Sequence, residues 1–222
     1  MSAPLVLKLV RHGQSLANTA EYDPQAHGDF RAELTPRGVE QARQAGLELG
    51  AEFLRGALVY ASPYRRAQQT LGAIFEATDG AALPCGVYED PRLREVDHGY
   101  GDIKRQERLR ETHGWFYYRY EGGESPADCY DRVSGFLESL MRQVERKAAT
   151  RVLVVTHGLA LRCFVMRFLH LTVAEFESIQ NPGNGAVVTL APPDVLEALP
   201  GPKLVRRRFG VAGLTFYEGA AP

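Results

Sequence analysis

Two apolar segments that end in the same dipeptide constrain this chain most. Residues 5–10 read Leu-Val-Leu-Lys-Leu-Val and lead through one arginine to a His-Gly pair at His12, and residues 151–156 read Arg-Val-Leu-Val-Val-Thr and lead to a His-Gly pair at His157. Apolar runs of this length indicate strands buried on both faces, as in a parallel sheet covered by helices. Ligands bind outside the carboxyl ends of such strands, so the pattern predicts one site that contains both histidines.

Helical patterns follow the strand patterns in alternation. Thr35, followed by proline, is typical of an N-cap and a first helical residue, and the apolar spacing after it predicts a helix that runs to about Leu54. A short strand is predicted at residues 57–61, and Ser62, again followed by proline, predicts the start of a second helix. This order predicts an α/β fold of three layers, α/β/α, with a mostly parallel central sheet flanked by helices.

The rest of the chain continues this plan with one interruption. Further predicted elements are a strand near residues 85–88, a helix from Ser125 to before Thr150, a helix with a capping box at Thr172 and Glu175, a strand near residues 187–190, and a hairpin at residues 203–217. Residues 91–124 are the least periodic part, where charged residues give way to an aromatic cluster. We interpret them as a helical and loop insertion over the active-site edge of a single domain, residues 1–222.

Length, charge and cysteine content exclude several classes of protein. A chain of 222 residues fits one domain, and 26 basic against 27 acidic residues give a net charge of -1, which argues against a nucleic-acid or membrane partner. Cys85, Cys129 and Cys163 lack zinc-site spacing, and their odd number favours reduced thiols. With no signal-peptide or membrane-spanning pattern, we expect a cytoplasmic protein; whether it forms a homodimer stays open.

Arginines near the predicted strand ends indicate an anion site. Arg11 precedes His12, and Arg65 and Arg66 follow the strand at residues 57–61. Arginine pairs bidentately with phosphate, and the glycine after each histidine permits a tight turn and close approach of backbone N–H groups to an anion. The sequence therefore predicts a local phosphate site in a nearly neutral protein.

Five short blocks in order resemble the histidine phosphatase superfamily, which includes cofactor-dependent phosphoglycerate mutases and many phosphomonoesterases. The blocks are residues 11–15 with Asn18, residues 34–38 with Gln41 and Ala42, residues 62–67 with Thr70, residues 93–95 with Gly99, and residues 155–158. The third block makes Arg66, rather than Arg65, the matching arginine. Residues 116–125 and 131–136 are similar to a subgroup of phosphoglycerate-mutase-like and broad-range acid phosphatases.

The resemblance implies a role for each matching residue. His12 attacks phosphorus, Glu95 transfers protons, the catalytic phosphate shell consists of Arg11, Arg66 and His157, and Asn18, Gly13 and Gly158 bind substrate. Neither a metal nor another cofactor is expected. The implied function is a metal-independent phosphomonoester hydrolase that acts on small phosphorylated metabolites through a phosphohistidine.

Three alternatives stay open at this point. A cofactor-dependent phosphoglycerate mutase uses the same residues, but the segment between Asn18 and Leu34 departs from the glycine- and tryptophan-bearing stretch that such mutases have. A non-catalytic phospho-ligand binding protein needs neither His12 nor Glu95. The proton-transfer role of Glu95 has four acidic competitors nearby, Glu89, Asp90, Asp97 and Asp102.

Overall fold

The centre of the fold is a seven-stranded sheet. In the computed structural model, which describes residues 3–78 and 86–217, the strands are β1 (Val6–Arg11), β2 (Leu58–Ala61), β3 (Gly86–Glu89), β4 (Arg151–Thr156), β5 (Val187–Ala191), β6 (Lys203–Arg206) and β7 (Phe209–Ala212). Their order across the sheet is β3-β2-β4-β1-β5-β7-β6. The four strands from β3 to β1 are parallel, and β5, β7 and β6 are antiparallel to their neighbours. The predicted sheet and its mostly parallel core are confirmed.

Helices cover both faces of this sheet. They are α1 (Pro24–His27), α2 (Pro36–Leu49), α3 (Ala51–Leu54), α4 (Arg65–Ala77), α5 (Ile103–His113), α6 (Pro126–Lys147), α7 (Gly158–Leu169), α8 (Val173–Ser178) and α9 (Pro193–Glu197). Successive strand residues point to opposite faces. Leu7 and Leu9 accordingly pack with residues of α6 and α7, whereas Val10 packs with residues of α2 and α4. The three predicted layers are confirmed.

The sheet register brings the two His-Gly pairs together. Strands β1 and β4 are adjacent and parallel, and Arg11 at the end of β1 lies opposite Thr156 at the end of β4. The His12 N–H donates to the Thr156 carbonyl at 2.9 Å, which continues the ladder one residue past the strand. Both histidines therefore leave the sheet side by side at its carboxyl edge.

Local sequence signals placed most helix starts correctly. Helix α2 begins after Thr35, whose side chain accepts the Gly38 N–H, as predicted. It does not run to Leu54: it ends at Leu49, because Gly50 takes a φ of +73° that breaks the helix before α3.

The predicted helix start at Ser62 is wrong. Helix α4 begins at Arg65, and its N-cap residue is Tyr64, whose side chain makes no capping hydrogen bond. Ser62 is instead buried, and its hydroxyl contacts His157 across the sheet edge. A contact with another strand end has overridden the local capping preference.

The insertion contributes one helix, α5, and part of the core. Phe116 is buried and packs edge-to-face against Phe176, while Trp115 stacks on the same ring.

Of the strand predicted near residues 85–88, Cys85 lies outside the described residues. Among the described helices, none combines the length and apolarity that a bilayer span requires.

Candidate active site

A pocket of about 710 Å³ opens at the carboxyl edge of the sheet. Its inner half is lined by four predicted site residues, Arg11, His12, Arg66 and Glu95. His157 lies directly behind His12, with 5.0 Å between the ring centroids. The structure thus brings together all five residues predicted to be catalytic, and their catalytic roles stay predictions.

The hydrogen bonds of His12 leave one ring nitrogen available as a base. Nδ1 lies 2.7 Å from the carbonyl oxygen of Gly13, which can only accept, so we assign the ring proton to Nδ1. Nε2 then carries a lone pair, which accepts the Nε–H of Arg66 at 3.2 Å. Burial and the charges of Arg66 and Arg11 lower the pKa of His12 to about 3. The ring is therefore neutral at physiological pH, as a nitrogen nucleophile must be.

His157 differs from His12 in that its Nδ1 has no hydrogen-bond partner in the described residues. Nε2 lies 2.8 Å from Ser62 Oγ, and that oxygen already accepts the N–H of Tyr64 at 3.3 Å. A hydroxyl group can accept one hydrogen bond and donate another, so when the Ser62 hydroxyl donates to Nε2, the proton of a neutral His157 lies on Nδ1. Nδ1 is buried and has no partner in the described structure, so a proton on it is an unsatisfied donor. Burial, followed by the charge of Arg66, holds the pKa of His157 well below its usual value.

The two consecutive arginines after β2 have different environments. Arg66 is buried, donates to His12 and forms an ion pair with Asp29. Arg65 is exposed and pairs with Glu33 at 2.8 Å. This separation agrees with the choice of Arg66 as the site arginine.

The Arg11 side chain lines the pocket and is anchored to the backbone of Pro182. Its Nη1 donates to the carbonyl of Pro182, and its buried Nε has no partner in the described residues. Burial lowers the pKa of Arg11, and the nearby charge of Glu95 acts in the opposite direction. A guanidinium with an unsatisfied donor beside a neutral histidine is suited to bind an anion.

Glu95 lies at the amino terminus of α7. Its Oε1 accepts the N–H groups of Val96 at 3.0 Å and Ala160 at 3.2 Å, and its Oε2 accepts the N–H of Leu159 at 3.3 Å. The helix terminus orients the carboxyl group by its backbone N–H groups. Of the four acidic competitors, Asp97 also lines the pocket, whereas Glu89, Asp90 and Asp102 are absent from the lining.

A part-buried ion pair lies beside the turn that precedes Glu95. Arg132 of α6 donates to the carbonyl of Arg92 at 2.7 Å and pairs with Glu124 at 2.9 Å. Arg92 in turn pairs with Asp90. These contacts tie the start of the insertion to α6 and so hold Glu95 in place.

The predicted substrate-binding glycines have packing roles. A Cβ on Gly13 would lie 2.1 Å from the Gly38 carbonyl oxygen, and a Cβ on Gly158 would lie 2.1 Å from Asn181 Oδ1. The Gly13 N–H donates to Thr70 Oγ1, so it is not available to an anion in this structure.

Asn18, predicted to bind substrate, is one of the residues that line the pocket. Its Oδ1 accepts hydrogen bonds from the Ser15 backbone and from Asn184 Nδ2. Asn18 therefore presents its amide at the mouth of the inner half, where the prediction that it binds substrate stays untested.

The outer half of the pocket comes from the insertion. Gln106 and Arg110, one turn apart on α5, both line it. Gln106 is buried, its Oε1 accepts the Glu121 N–H, and its Nε2 has no partner in the described residues. Arg110 donates to the Tyr120 hydroxyl at 3.0 Å. This helix therefore contributes an amide and a guanidinium group to the outer lining of the pocket.

Sequence reasoning missed several lining residues, among them Asp29, Asn181 and Gln106. Only Gln106 and Arg110 had a usable signal, the four-residue spacing that puts both on one helix face.

Within residues 3–78 and 86–217, no three histidine, cysteine or acidic side chains form a group that could hold a metal ion. The expectation of metal independence stays a prediction.

Comparison with known proteins identifies the family. The model of the histidine phosphatase superfamily, branch 1, matches residues 7–195. The phosphoglycerate mutase-like protein AT74 of Arabidopsis thaliana is 36% identical over 204 residues, which cover 83% of this chain and 64% of AT74. The broad-range acid phosphatase DET1 of Saccharomyces cerevisiae is 27% identical, over 84% of this chain and 85% of DET1.

Solved structures agree with this result. The structure of a mycobacterial glucosyl-3-phosphoglycerate phosphatase is similar with a TM-score of 0.65 and 25% identity, over 85% of this chain and 91% of that one. The resemblance stated from the five motif blocks is confirmed, including its similarity to phosphoglycerate-mutase-like and broad-range acid phosphatases. The chain therefore belongs to branch 1 of the histidine phosphatase superfamily.

Proposed function

We propose that this protein hydrolyses phosphomonoesters through a phosphohistidine at His12, without a metal ion. One observation carries the proposal. The Nε2 lone pair of a neutral His12 points at the buried guanidinium of Arg66, inside a pocket that Glu95 also lines. A nucleophile, a cation for the phosphate oxygens and a carboxyl group for proton transfer are the three parts that such a reaction needs.

In the first step, Nε2 of His12 forms a bond to phosphorus while the bond from phosphorus to the ester oxygen breaks. The Arg66 Nε–H donates to Nε2 in the free protein. During attack it donates to a phosphate oxygen instead, because the Nε2 lone pair has to face phosphorus. Arg11 and the Nδ1–H of His157 supply further donors to the phosphate. The Glu95 carboxyl group donates a proton to the leaving alkoxide.

In the second step, water attacks the phosphorus of the phosphohistidine. The Glu95 carboxylate takes the proton of that water, the bond from phosphorus to Nε2 breaks, and inorganic phosphate leaves. His12 returns to its neutral state because Gly13 keeps the ring proton on Nδ1. The sum of both steps consumes one ester and one water and yields one alcohol and one phosphate.

The pocket supports hydrolysis of a small substrate better than a mutase reaction. A volume of about 710 Å³ suits a metabolite-sized ligand. Mutases have to exclude water from the phosphoenzyme. Here the pocket rim includes exposed side chains such as Tyr100 and Glu107, which leave a path for water.

Replacement of the nucleophile tests the proposal. We expect His12→Ala to lower kcat/KM on an aryl phosphate by about 10⁴-fold or more, because the variant lacks the Nε2 lone pair that faces Arg66 and attacks phosphorus. His113→Ala, which changes an exposed histidine on α5, is the control. Activity of His12→Ala within tenfold of the wild type would refute the mechanism.

A rapid-quench experiment with phosphate-labelled substrate separates the alternatives. Hydrolysis through His12 predicts an acid-labile, base-stable label that His12→Ala lacks. A phosphoglycerate mutase would return the label to 3-phosphoglycerate, which a coupled assay detects. A binding protein would bind phosphate with neither label nor turnover.

A further inference from the structure

Asp29 contacts the site arginine with both its backbone and its side chain. Arg66 Nη1 donates to the Asp29 carbonyl at 2.7 Å and to Oδ1 at 3.0 Å, and Nη2 donates to Oδ2 at 2.9 Å. The Arg66 side chain is 4% exposed and that of Asp29 is 37% exposed. A bidentate pair of this kind fixes the plane of a guanidinium group.

The donors of Arg66 divide between two edges of the guanidinium group. Of its five N–H groups, three are used by Asp29 and a fourth, the Nε–H, points at His12 Nε2. The fifth belongs to Nη2 and lies on the same edge as the Nε–H. Asp29 thus holds the far edge, and the near edge faces the space in front of the nucleophile.

We propose that Asp29 is a positioning residue: it aims the Nε and Nη2 edge of Arg66 at the phosphoryl group that His12 attacks. This inference rests on the proposed function and adds a residue to it. A guanidinium group without Asp29 would be free to rotate about its last side-chain bonds. Phosphoryl transfer depends mainly on the positions of charges, so rotation of Arg66 would reduce stabilisation of the transition state.

The surroundings of Asp29 suit a fixed support. Asp29 begins a short 3-10 turn, Asp29–Arg31, and the preceding Gly28 has a φ of +78°, a conformation that favours glycine. The carbonyl of Gly28 accepts the Tyr22 hydroxyl at 2.9 Å. The other face of the Arg66 guanidinium lies over the ring of Tyr64, 4.9 Å from its centroid. The Asp29 carbonyl and the Tyr64 ring both restrict the orientation of the Arg66 guanidinium group.

The chain offers a matched control on the same segment. Glu33 pairs with Arg65, the neighbour of Arg66, at a similar distance of 2.8 Å, but both side chains are about half exposed. An exposed pair of this kind contributes little. Asp29→Asn and Glu33→Gln therefore remove the same charge from the same segment, and only the first loosens Arg66.

The test compares these variants with the wild type in steady-state kinetics and in binding of inorganic phosphate and orthovanadate. Orthovanadate becomes five-coordinate and resembles the transferring phosphoryl group, so it reports on transition-state positioning. We expect Asp29→Asn to lower kcat by about 10- to 100-fold with a smaller change in KM. The same variant should lose more affinity for orthovanadate than for inorganic phosphate. Glu33→Gln should stay within about twofold of the wild type.

A double-mutant cycle shows whether Asp29 acts through Arg66. In an Arg66→Lys background the bidentate pair is already lost, so Asp29→Asn should have almost no further effect on kcat. Thermal unfolding of each variant defines an assay temperature at which all are folded. Tighter phosphate binding by Asp29→Asn, or an equal loss in both backgrounds, would overturn the inference.

The two proposals fail in different ways. Absence of turnover and of covalent label in the wild type would overturn the proposed function. A different result would overturn only the role of Asp29: the wild type turns over substrate, and Asp29→Asn has the same kcat and the same affinity for orthovanadate as the wild type. The proposed function would then still stand.

Discussion

The inner and outer halves of the pocket are built on different principles. The inner half lies at strand ends, where His12, Arg66 and His157 are at most 3% exposed and each contacts another buried group. The outer half lies on the insertion, where Tyr100 is 73% exposed and Arg110 is half-buried. The inner half thus depends on the fold core, whereas the outer half depends on α5 and the loops of the insertion on either side of it.

Under the proposed function, we expect the inner half to carry out the chemistry and the outer half to recognise the substrate. Donors and acceptors of the inner half are already oriented before a ligand arrives, and such an arrangement avoids reorganisation during the reaction. Gln106 of the outer half has a buried amide nitrogen without a partner in the described residues. Changes to the inner half should therefore affect every substrate, and changes to the outer half should reorder substrates.

The largest effect after loss of the nucleophile is expected at Glu95. Glu95→Gln keeps the shape and one oxygen that can accept the Ala160 N–H, loses the acceptor for the Leu159 N–H and removes proton transfer, so hydrolysis of an alkyl phosphate should fall by about 10²- to 10⁴-fold. An aryl phosphate has a leaving group that needs no proton, so its first step should stay fast. Stopped-flow kinetics should then show a burst of one phenol per site before slow turnover.

A matched control keeps this experiment specific. Glu89→Gln changes an exposed acidic residue outside the pocket lining and should match the wild type on both substrates. If Glu95→Gln lost equal activity on alkyl and aryl phosphates without a burst, a proton-transfer role for Glu95 would be refuted.

An intermediate effect is expected on acid stability. The pKa of His12 is about 3 in the folded protein, whereas the unfolded ring titrates near 6.5. The unfolded chain therefore binds the proton first, so this contribution to stability is complete above pH 6.5 and is lost as the pH falls from 6.5 towards 3. The loss approaches about 1.4 kcal/mol per pH unit for one proton.

Urea unfolding of the wild type and His12→Gln at pH 7, 6 and 5 measures this contribution. The free energy of unfolding should fall more steeply with acid in the wild type, since the variant lacks the ring. Parallel slopes would mean that the buried His12 does not resist protonation.

The smallest effect on a simple substrate is expected at Arg110. Arg110→Met keeps the apolar stem beside Trp115 and removes the charge, so kcat/KM for a small aryl phosphate should change by less than about threefold. For phosphate esters of larger polar alcohols the loss should be greater. Arg108→Met, on the exposed face of α5, is the control, and a uniform loss across a substrate panel would contradict the division into two halves.

Much of the inner half could be predicted from the sequence. The strand before His12 was evident from its apolar run, and Thr35 marked the start of α2 through a local capping bond. The motif block after β2 selected Arg66 over Arg65, in agreement with their burial. These features depend on residues close in sequence, whose preferences are local.

Other features could not be predicted because they join distant residues. Asp29 and Arg66 are in contact although 37 positions separate them in the sequence, and Ser62 and His157 are in contact although 95 positions separate them. Ser62 carried a helix-capping signal that the contact with His157 overrode. The Gly13 N–H was expected to face an anion, but Thr70 accepts it.

By itself, the sequence determined the strand–helix alternation, the sheet edge at which the pocket opens, and the two histidines and the arginine that meet there. Apolar periodicity and short motifs carry that information within a few residues. Only the tertiary structure decided which way each ring nitrogen and guanidinium edge points, which acid supports Arg66, and that α5 lines the outer pocket. Orientation depends on hydrogen-bond partners from separate elements, and those partners meet only when the sheet and its layers assemble.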